Sequence, residues 1–470
     1  MKTDHSSENK WTPARIQFFC LATVSSVAFL FTILGVYKEI AYYYAENFLV
    51  IPAALFVGVS LNGELKAEGR RCMKLAAFMC LWYIIVASKH RLQGMAPTSA
   101  SAFFCMYLLV FPFAAVTGDG ERQEGLLMAA KVFAASALIN VGYGLLAVAD
   151  RVPAFLESLI KFDGGRLMVF FHPNITACVY MIGAVFCIGG IYRTEIRWKK
   201  GMLLAAASVQ FIMIALTNSR TTLLIGCVFL GGIVFFTILR GGFWLAVKTA
   251  GGWKRILAAV VAAILVIAGV FVVSGEIYDA NYERLAKVYI AEQAAAEPAQ
   301  NTTAATTSVQ TEVADIKLPT VNGQGSLSND MKTLNGRTLI WTAALKAIKD
   351  DPALLLWGTA YVDTAITENF GGPYIEHSHN SWIEVLMKMG IPGLAMALVL
   401  TWIGVKKSLY TLFFSRDMWK ICMALLTLCL MVTGFLEVYF FNGKINYHMI
   451  EYIFFLLVGY LSQWKEENKI

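Results

Sequence analysis

Apolar runs long enough to cross a lipid bilayer recur along the whole 470-residue chain. An untilted transmembrane helix needs about 20 predominantly apolar residues, and flanking residues complete shorter runs. The runs lie near residues 16–37, 47–61, 73–87, 99–116, 125–148, 175–192, 201–216, 221–239, 255–274, 391–405, 419–440 and 446–463. With 57% hydrophobic and 15% charged residues, the chain is also too apolar for a soluble domain. We therefore predict an all-α polytopic membrane protein with about 12 transmembrane helices.

Charge and cysteine usage exclude other classes of protein. A net charge of +7 suits a nucleic-acid partner only when the basic residues share one solvated face, and here they are scattered through short loops. The nine cysteines lie in or beside apolar runs, without C-x-x-C spacing, so neither a disulfide framework nor a cysteine metal site is expected. The first apolar run lacks a small-residue cleavage site and is interpreted as an uncleaved anchor.

Lysine and arginine collect in alternate loops, which sets the predicted orientation. With both ends in the cytoplasm, the cytoplasmic loops receive Lys66, Arg70, Arg71, Lys74, Arg193, Arg197, Lys199, Lys200, Arg240, Lys248, Lys254, Arg255, Lys406, Lys407, Arg416 and Lys420. This topology predicts a membrane domain over residues 1–274 with about nine spans and another over residues 391–470 with about three. Residues 275–390 then form one large extracytoplasmic loop.

The predicted loop has a low-complexity half and a structured half. Residues 294–329 are polar and too poor in large apolar groups to offset the entropy lost on ordering, so we expect them to be disordered. Residues 336–349 carry an apolar stripe at helical spacing, which predicts a surface helix on the outer leaflet. The stripe is formed by Trp341, Ala344, Leu345 and Ile348.

A second surface helix is predicted over residues 381–389 of the same loop. Ser381 and Glu384 have the spacing of a capping box, in which each side chain bonds a free backbone N–H of the first turn. Gly390 and Pro392 are typical of a helix end. The next span is expected to begin there.

Two arginines stand at the predicted outer ends of helices and are candidates for binding phosphate. Arg220 lies in a tight turn between two spans, on the side that the positive-inside rule depletes of basic residues. Its alternative role is to extend to lipid headgroups. Arg337 lies one turn before Trp341, near a helix N-terminus whose N–H groups favour anions. An ordinary basic residue on an interfacial helix is the alternative there.

His379 directly precedes the second predicted surface helix. Imidazole changes charge near neutral pH, so a histidine can accept a proton from a hydroxyl group and later release it. His377 is the rival candidate. For either histidine, the alternative is a hydrogen-bonded structural residue.

Several other polar residues are weaker candidates. Arg166, His172 and Asn174 stand in an outer loop and can hold phosphate or sugar, although a plain pre-helix turn explains Asn174 equally well. Glu437 can orient an acceptor or pair with Lys444. The sequence has no phosphate-loop motif, dinucleotide fingerprint or H-E-x-x-H, and no D-x-D pair in an outer loop. We therefore expect no nucleotide or other cofactor and no metal, although the sequence alone does not exclude a metal.

The stretch HSHNSWIEVLMKMGIPG resembles the signature of the O-antigen ligase and O-antigen polymerase superfamily. That signature has His, then Asn, Ser or Gln, nine further residues, Gly, two residues and a small residue. His379, Asn380, Gly390 and Gly393 match every position, whereas His377 reaches no glycine at that spacing. NSRTTLL and NGRTLIW resemble the family's two arginine motifs, and HPNITA resembles its N-P-N-x-x-A turn with His in place of the first Asn.

The resemblance implies a GT-C-like, metal-independent glycosyltransferase on the outer face of the bacterial cytoplasmic (inner) membrane. Its donor is a glycan on undecaprenyl pyrophosphate, with Arg220 and Arg337 on the pyrophosphate and His379 as general base. The further candidates for supporting the site are Asn380, Asn174, His172, Arg166 and Glu437. The acceptor is a lipid A core sugar for a ligase and a second lipid-linked repeat for a surface-polysaccharide polymerase, and the sequence leaves both open.

A flippase for lipid-linked oligosaccharides is the competing class of function. A transporter predicts internal symmetry and charged groups near the bilayer midplane. The strongest polar groups of this sequence instead collect at the predicted outer ends of helices, which favours the transferase.

Overall fold

The computed structural model describes residues 67–91, 108, 110–112, 114–115, 119–170, 172–239, 252–296, 336–359, 362–371, 374–375, 377–441 and 448–462. The predicted spans 16–37 and 47–61 lie outside these residues, as does nearly all of the predicted disordered stretch 294–329. Most of the predicted span 99–116 does as well.

The described chain is helical apart from one hairpin of two strands. The elements are α1 (Ala67–Arg91), α2 (Asp119–Val148), β1 (Ile160–Asp163), β2 (Arg166–Val169), α3 (Pro173–Ile191), α4 (Arg197–Thr217), α5 (Arg220–Ile238), α6 (Gly252–Ala296), α7 (Arg337–Asp350), α8 (Leu354–Trp357), α9 (Val362–Phe370), α10 (Ser381–Phe414), α11 (Met418–Thr433) and α12 (His448–Ser462). Among the described residues, six helices are long and apolar enough to cross a membrane, and α11 and α12 are shorter apolar helices. The protein is a polytopic membrane protein, and the total of about 12 spans stays a prediction.

The described elements fall into two units. The first unit contains α1, the first half of α2 and helices α7 to α12. The second unit contains the second half of α2, the hairpin and helices α3 to α6. Within each unit, the helices pack against one another.

In the second unit, α3 is the most deeply buried helix, with residues from Pro173 to Gly189 almost all inaccessible to solvent. It packs along α4, and α5 packs along α6. The turn from α4 to α5 is only two residues long because Asn218 takes a left-handed conformation, φ 47°. Arg220 is therefore the first residue of α5.

Helix α6 is longer than the sequence analysis predicts. Its 45 residues span about 67 Å, roughly twice the hydrocarbon core of a bilayer. The predicted loop boundary at residue 275 falls inside this helix. The polar residues beyond it are good helix formers, and Lys287 pairs with Glu283 one turn earlier at 2.6 Å.

The hairpin is an element that the sequence analysis missed. Strands β1 and β2 are antiparallel, with Asp163 opposite Arg166 across a Gly164–Gly165 turn. Two short apolar runs separated by Gly-Gly are a hairpin signal. The hairpin places Arg166 at the start of β2, close to the first turn of α3.

In the first unit, α10 consists of two helical segments that meet at Gly390. This glycine has φ 64° and ψ −169°, a conformation that is essentially restricted to glycine. A Cβ atom on it would overlap the backbone carbonyl of Leu356. The predicted helix end at Gly390 therefore coincides with a break, and Pro392 lies in the first turn of the next segment, where proline is tolerated.

Two details of the predicted surface helices differ from the structure. The N-cap of α10 is Asn380, whose side-chain oxygen accepts from the N–H groups of Trp382 at 2.9 Å and Ile383 at 3.1 Å. Ser381 is not the cap, because its hydroxyl donates to the carbonyl of Glu437 at 2.9 Å. Most side chains of residues 381–389 are buried rather than on a surface.

The buried face of α7 overlaps only partly with the predicted stripe. Ile340, Ala344 and Ile348 pack against α9 and Met387, whereas Leu345 is 56% exposed. The predicted stripe was rotated around the helix because it was centred on Trp341. The buried face of α7 lies on protein, which fixes the position of Arg337 at its first turn.

We expect Gly390→Ala to lower the thermal unfolding temperature of the purified protein in detergent. The new methyl group has no room beside Leu356, and the backbone conformation costs a non-glycine residue on the order of 1–3 kcal/mol. Gly275→Ala in α6 is the matched control, because a Cβ there meets no atom within 4 Å. An equal unfolding temperature for wild type and Gly390→Ala would contradict the described break.

Candidate active site

Two segments of the first unit are joined by hydrogen bonds to form the candidate site. The start of α10 carries Asn380, its N-cap, and Ser381, its first residue, and the segment after α11 carries Gly434, Phe435 and Glu437. Ser381 donates its backbone N–H to Gly434 at 2.8 Å, and the Asn380 side chain donates to the carbonyl of Phe435 at 3.0 Å. These contacts fix the loop in front of α10 against the segment that carries Glu437.

His379 lies at the centre of this site. Its backbone has φ 51°, which is uncommon for a residue other than glycine and typical of functional sites. Its Nδ1 atom lies 3.3 Å from a carboxylate oxygen of Glu437. A carboxylate there favours the tautomer with hydrogen on Nδ1, which leaves Nε2 with a lone pair that can accept a proton. The side chain is 32% exposed, so the ring remains accessible.

Glu437 contacts two basic residues at once. Its other carboxylate oxygen accepts a hydrogen bond from the Nη2 group of Arg337, and both side chains are buried. Burial by itself would raise the pKa of Glu437. The hydrogen bond from His379 and the positive charge of Arg337 outweigh burial and lower the pKa to about 2. Glu437 is therefore ionised throughout the physiological pH range.

His377 has a different environment from His379. It is 5% exposed, and its Nδ1 atom accepts the backbone N–H of His379 at 3.2 Å. The two rings lie 4.2 Å apart between centroids. His377 therefore supports the backbone conformation of His379, and the more exposed His379 is the better placed of the two for proton transfer.

Two further contacts hold the backbone between these histidines. Trp341 of α7 donates its indole N–H to the carbonyl of Ser378 at 3.0 Å. The N–H of Ser378 donates to the carboxylate of Glu384 at 3.0 Å, and Glu384 is 1% exposed. The site is thus supported from α7, α10 and the segment after α11.

In the second unit, the weaker candidates form a separate polar cluster. Arg166 donates from Nε to the carbonyl of Thr217 at 3.0 Å and from Nη2 to the side-chain oxygen of Asn174 at 2.7 Å. His172 is exposed and caps α3, with its Nδ1 atom 3.4 Å from the N–H of Asn174. Arg166 thereby contacts the last turn of α4, three residues before Arg220.

Arg220 is exposed at the first position of α5, and it forms no ion pair within the described part of the chain. A guanidinium beside a helix N-terminus suits an anion, because the free N–H groups there also carry partial positive charge.

The first unit thus brings His379, Asn380, Arg337 and Glu437 together, and the second unit brings Arg166, Asn174 and His172 together. The link from Arg337 through Glu437 to His379 was missed, because the three residues are far apart in sequence. Lys444, the partner considered for Glu437, lies outside the described residues. Within the described ranges, no three His, Cys, Asp or Glu side chains are grouped to hold a metal ion.

Comparison with known proteins relates part of this site to a known family. No curated protein matches the chain. The family model described as O-antigen ligase matches residues 202–398, a range that includes Arg220, Arg337 and His379 but not Glu437. Residues 202–398 are thus similar to the domain of the O-antigen ligase family.

Proposed function

We propose that this protein is a metal-independent glycosyltransferase that moves a glycan from undecaprenyl pyrophosphate to an acceptor hydroxyl on the outer face of the bacterial cytoplasmic membrane. The family supports a ligase or polymerase activity on lipid-linked glycans. The observation that carries the finer proposal is the His379–Glu437 pair, in which an ionised carboxylate holds a partly exposed imidazole.

In the proposed reaction, the acceptor oxygen attacks the anomeric carbon while its proton moves to Nε2 of His379. The bond from the anomeric carbon to the phosphate oxygen breaks, and undecaprenyl pyrophosphate leaves with the bonding electrons. Glu437 stabilises the imidazolium that forms, as a carboxylate does beside a general-base histidine. Glu437 thus acts as a positioning residue, since it works through His379.

The arginines have the proposed role of stabilising negative charge on the departing pyrophosphate. A guanidinium offers five N–H donors, so the contact of Arg337 with Glu437 leaves other donors for a phosphate oxygen. Arg220 is exposed at the first position of α5. Asn380 keeps its proposed supporting role, because it caps α10 and bonds the segment that carries Glu437.

The acceptor distinguishes two forms of this function. Ligation to a lipid A core or another surface acceptor and polymerisation of capsule, exopolysaccharide or O-antigen repeats use the same bond changes. Glycolipid analysis of a deletion strain separates the two. Accumulation of long lipid-linked polymer indicates a ligase, and survival of single-repeat product indicates a polymerase. Unchanged surface glycans and unchanged lipid-linked intermediates would contradict both.

We expect Arg220→Ala to weaken binding of the lipid-linked donor by about tenfold, and Arg220→Lys to restore only part of that loss. A guanidinium can contact two phosphate oxygens through its planar edge, whereas an ammonium acts as a point charge. The measurement is donor binding to purified protein in nanodiscs. Arg197→Ala, at the opposite end of the same helical hairpin, is the matched control. Equal affinities of wild type and Arg220→Ala would remove Arg220 from the proposed site.

A further inference from the structure

The break in α10 leaves backbone carbonyl groups without donors from their own helix. A helix end exposes its last four carbonyl groups, and these must find other partners when they are buried. The N–H of Thr359 donates to the carbonyl of Met387 at 2.6 Å. The indole Nε1 of Trp82, on α1, donates to the carbonyl of Met389 at 2.8 Å. Two segments distant in sequence therefore satisfy the carbonyl groups beside Gly390.

The segment on one side of the break is residues 354–359, here called the strap. It contains α8, and it lies against α10 with backbone touching backbone. A Cβ on Gly358, which has φ 65°, would overlap the carbonyl of Lys388, just as one on Gly390 would overlap that of Leu356. Because neither glycine has a Cβ atom, the backbone of the strap can contact the backbone of α10 at the break.

Trp82 joins the strap to the break. Its ring stacks on that of Trp357, with centroids 5.6 Å apart and planes inclined by 15°. The ammonium of Lys89, two turns further along α1, lies 4.9 Å from the centroid of the Trp357 ring. One indole on α1 thus contacts both the strap and the carbonyl beside Gly390.

The contact of Trp82 with Met389 holds one end of residues 381–389, the first segment of α10. His379 lies just before the opposite end of that segment. Residues 381–389 form a rod of about 14 Å, so tilting it by roughly 10° at the break would move its far end by about 2 Å. A misplacement of about 1 Å can cost about 10²-fold in rate. The contacts of Asn380 and Ser381 with the segment after α11 hold the far end, which limits the displacement.

We infer that Trp82 is a positioning residue for glycosyl transfer. Through its indole N–H, it sets the angle at which α10 carries His379, and it acts on the transfer step rather than on binding of the lipid-linked donor. This inference rests on the proposed role of His379 as general base.

The test is Trp82→Phe, which keeps an aromatic ring beside Trp357 and removes the N–H donor. The expected result is a loss of about tenfold in kcat, with donor affinity within about twofold of wild type. Trp402→Phe is the matched control, because Trp402 lies on the same helix α10 but is 64% exposed, and no change is expected. An unchanged kcat for folded Trp82→Phe would overturn the inference.

A double-mutant cycle with His379→Ala separates this inference from the proposed function. If Trp82 acts through His379, the double variant has the rate of His379→Ala alone. If the rate losses of the two single variants instead multiply in the double variant, the positioning role is overturned. Full turnover by His379→Ala would instead remove the proposed base, whatever Trp82→Phe does.

A second variant keeps the inference testable if Trp82→Phe is not recovered in folded form. Trp357→Phe leaves the N–H of Trp82 in place and reduces the stacked area. We expect it to lower kcat about threefold, again without change in donor affinity. A wild-type kcat for this variant would contradict the coupling between strap and break.

Discussion

His379→Ala is expected to lower the rate of glycosyl transfer by roughly 10²- to 10⁴-fold, the usual contribution of a general base. Donor affinity should stay near that of wild type, because the pyrophosphate and prenyl tail contact other residues in the proposed complex. The assay is transfer from purified lipid-linked donor to acceptor in nanodiscs, beside a direct measurement of donor binding. Loss of donor binding together with turnover would assign His379 to binding instead.

The matched control for this change is its neighbour two residues earlier. His377→Ala removes one hydrogen bond to the N–H of His379, worth about 1 kcal/mol, so a loss of roughly fivefold is expected. His377→Asn should recover most of that loss, because the Asn side-chain oxygen can accept the same N–H. Equal losses in His377→Ala and His379→Ala would show that the two histidines do not have separate roles.

Local patterns in the sequence correctly predicted the positions of several helices and of the break in α10. The apolar runs predicted α3, α4 and α5 to within a few residues, and the Gly-x-Pro pattern predicted the break at Gly390. These features depend on residues close together in the chain, so periodicity and glycine or proline placement are sufficient to find them.

Two predictions about helices failed for different reasons. The buried face of α7 was predicted only in part, because it is set by α9 and Met387, which a stripe pattern cannot reveal. The length of α6 was underestimated because hydropathy reports where apolar residues end, while helix propensity continues through Ala296. Tertiary packing thus overrides the hydrophobic pattern in α7, and backbone helix propensity overrides it in α6.

In the candidate site, likewise, a local motif was informative, whereas a contact between distant residues was not predicted. The motif selected His379 over His377, and the structure gives the two residues different environments. The partnership of Glu437 with Arg337 was not predictable, because 100 residues separate them. An acidic residue near the end of a span has too many candidate partners in sequence, whereas folding leaves Glu437 beside two.

Glu437→Gln is expected to lower the transfer rate by roughly 10²-fold or more, because the neutral amide no longer stabilises the imidazolium of the transition state. Donor affinity should change much less than the rate. An unchanged transfer rate for folded Glu437→Gln would contradict this role.

The effect of pH on stability provides an independent measurement of the same carboxylate. The pKa of Glu437 in the folded protein, about 2, lies below the ordinary value of 4.5, so its ionised form stabilises the fold. That contribution is fully present above about pH 4.5 and is lost as the pH falls toward 2. Wild type should therefore lose unfolding temperature on acidification more steeply than Glu437→Gln, which carries no titrating group at this position. Parallel curves for the two proteins between pH 5 and pH 2 would mean that Arg337 and His379 do not hold Glu437 in its ionised form, and the proposed support of the base would fail with them.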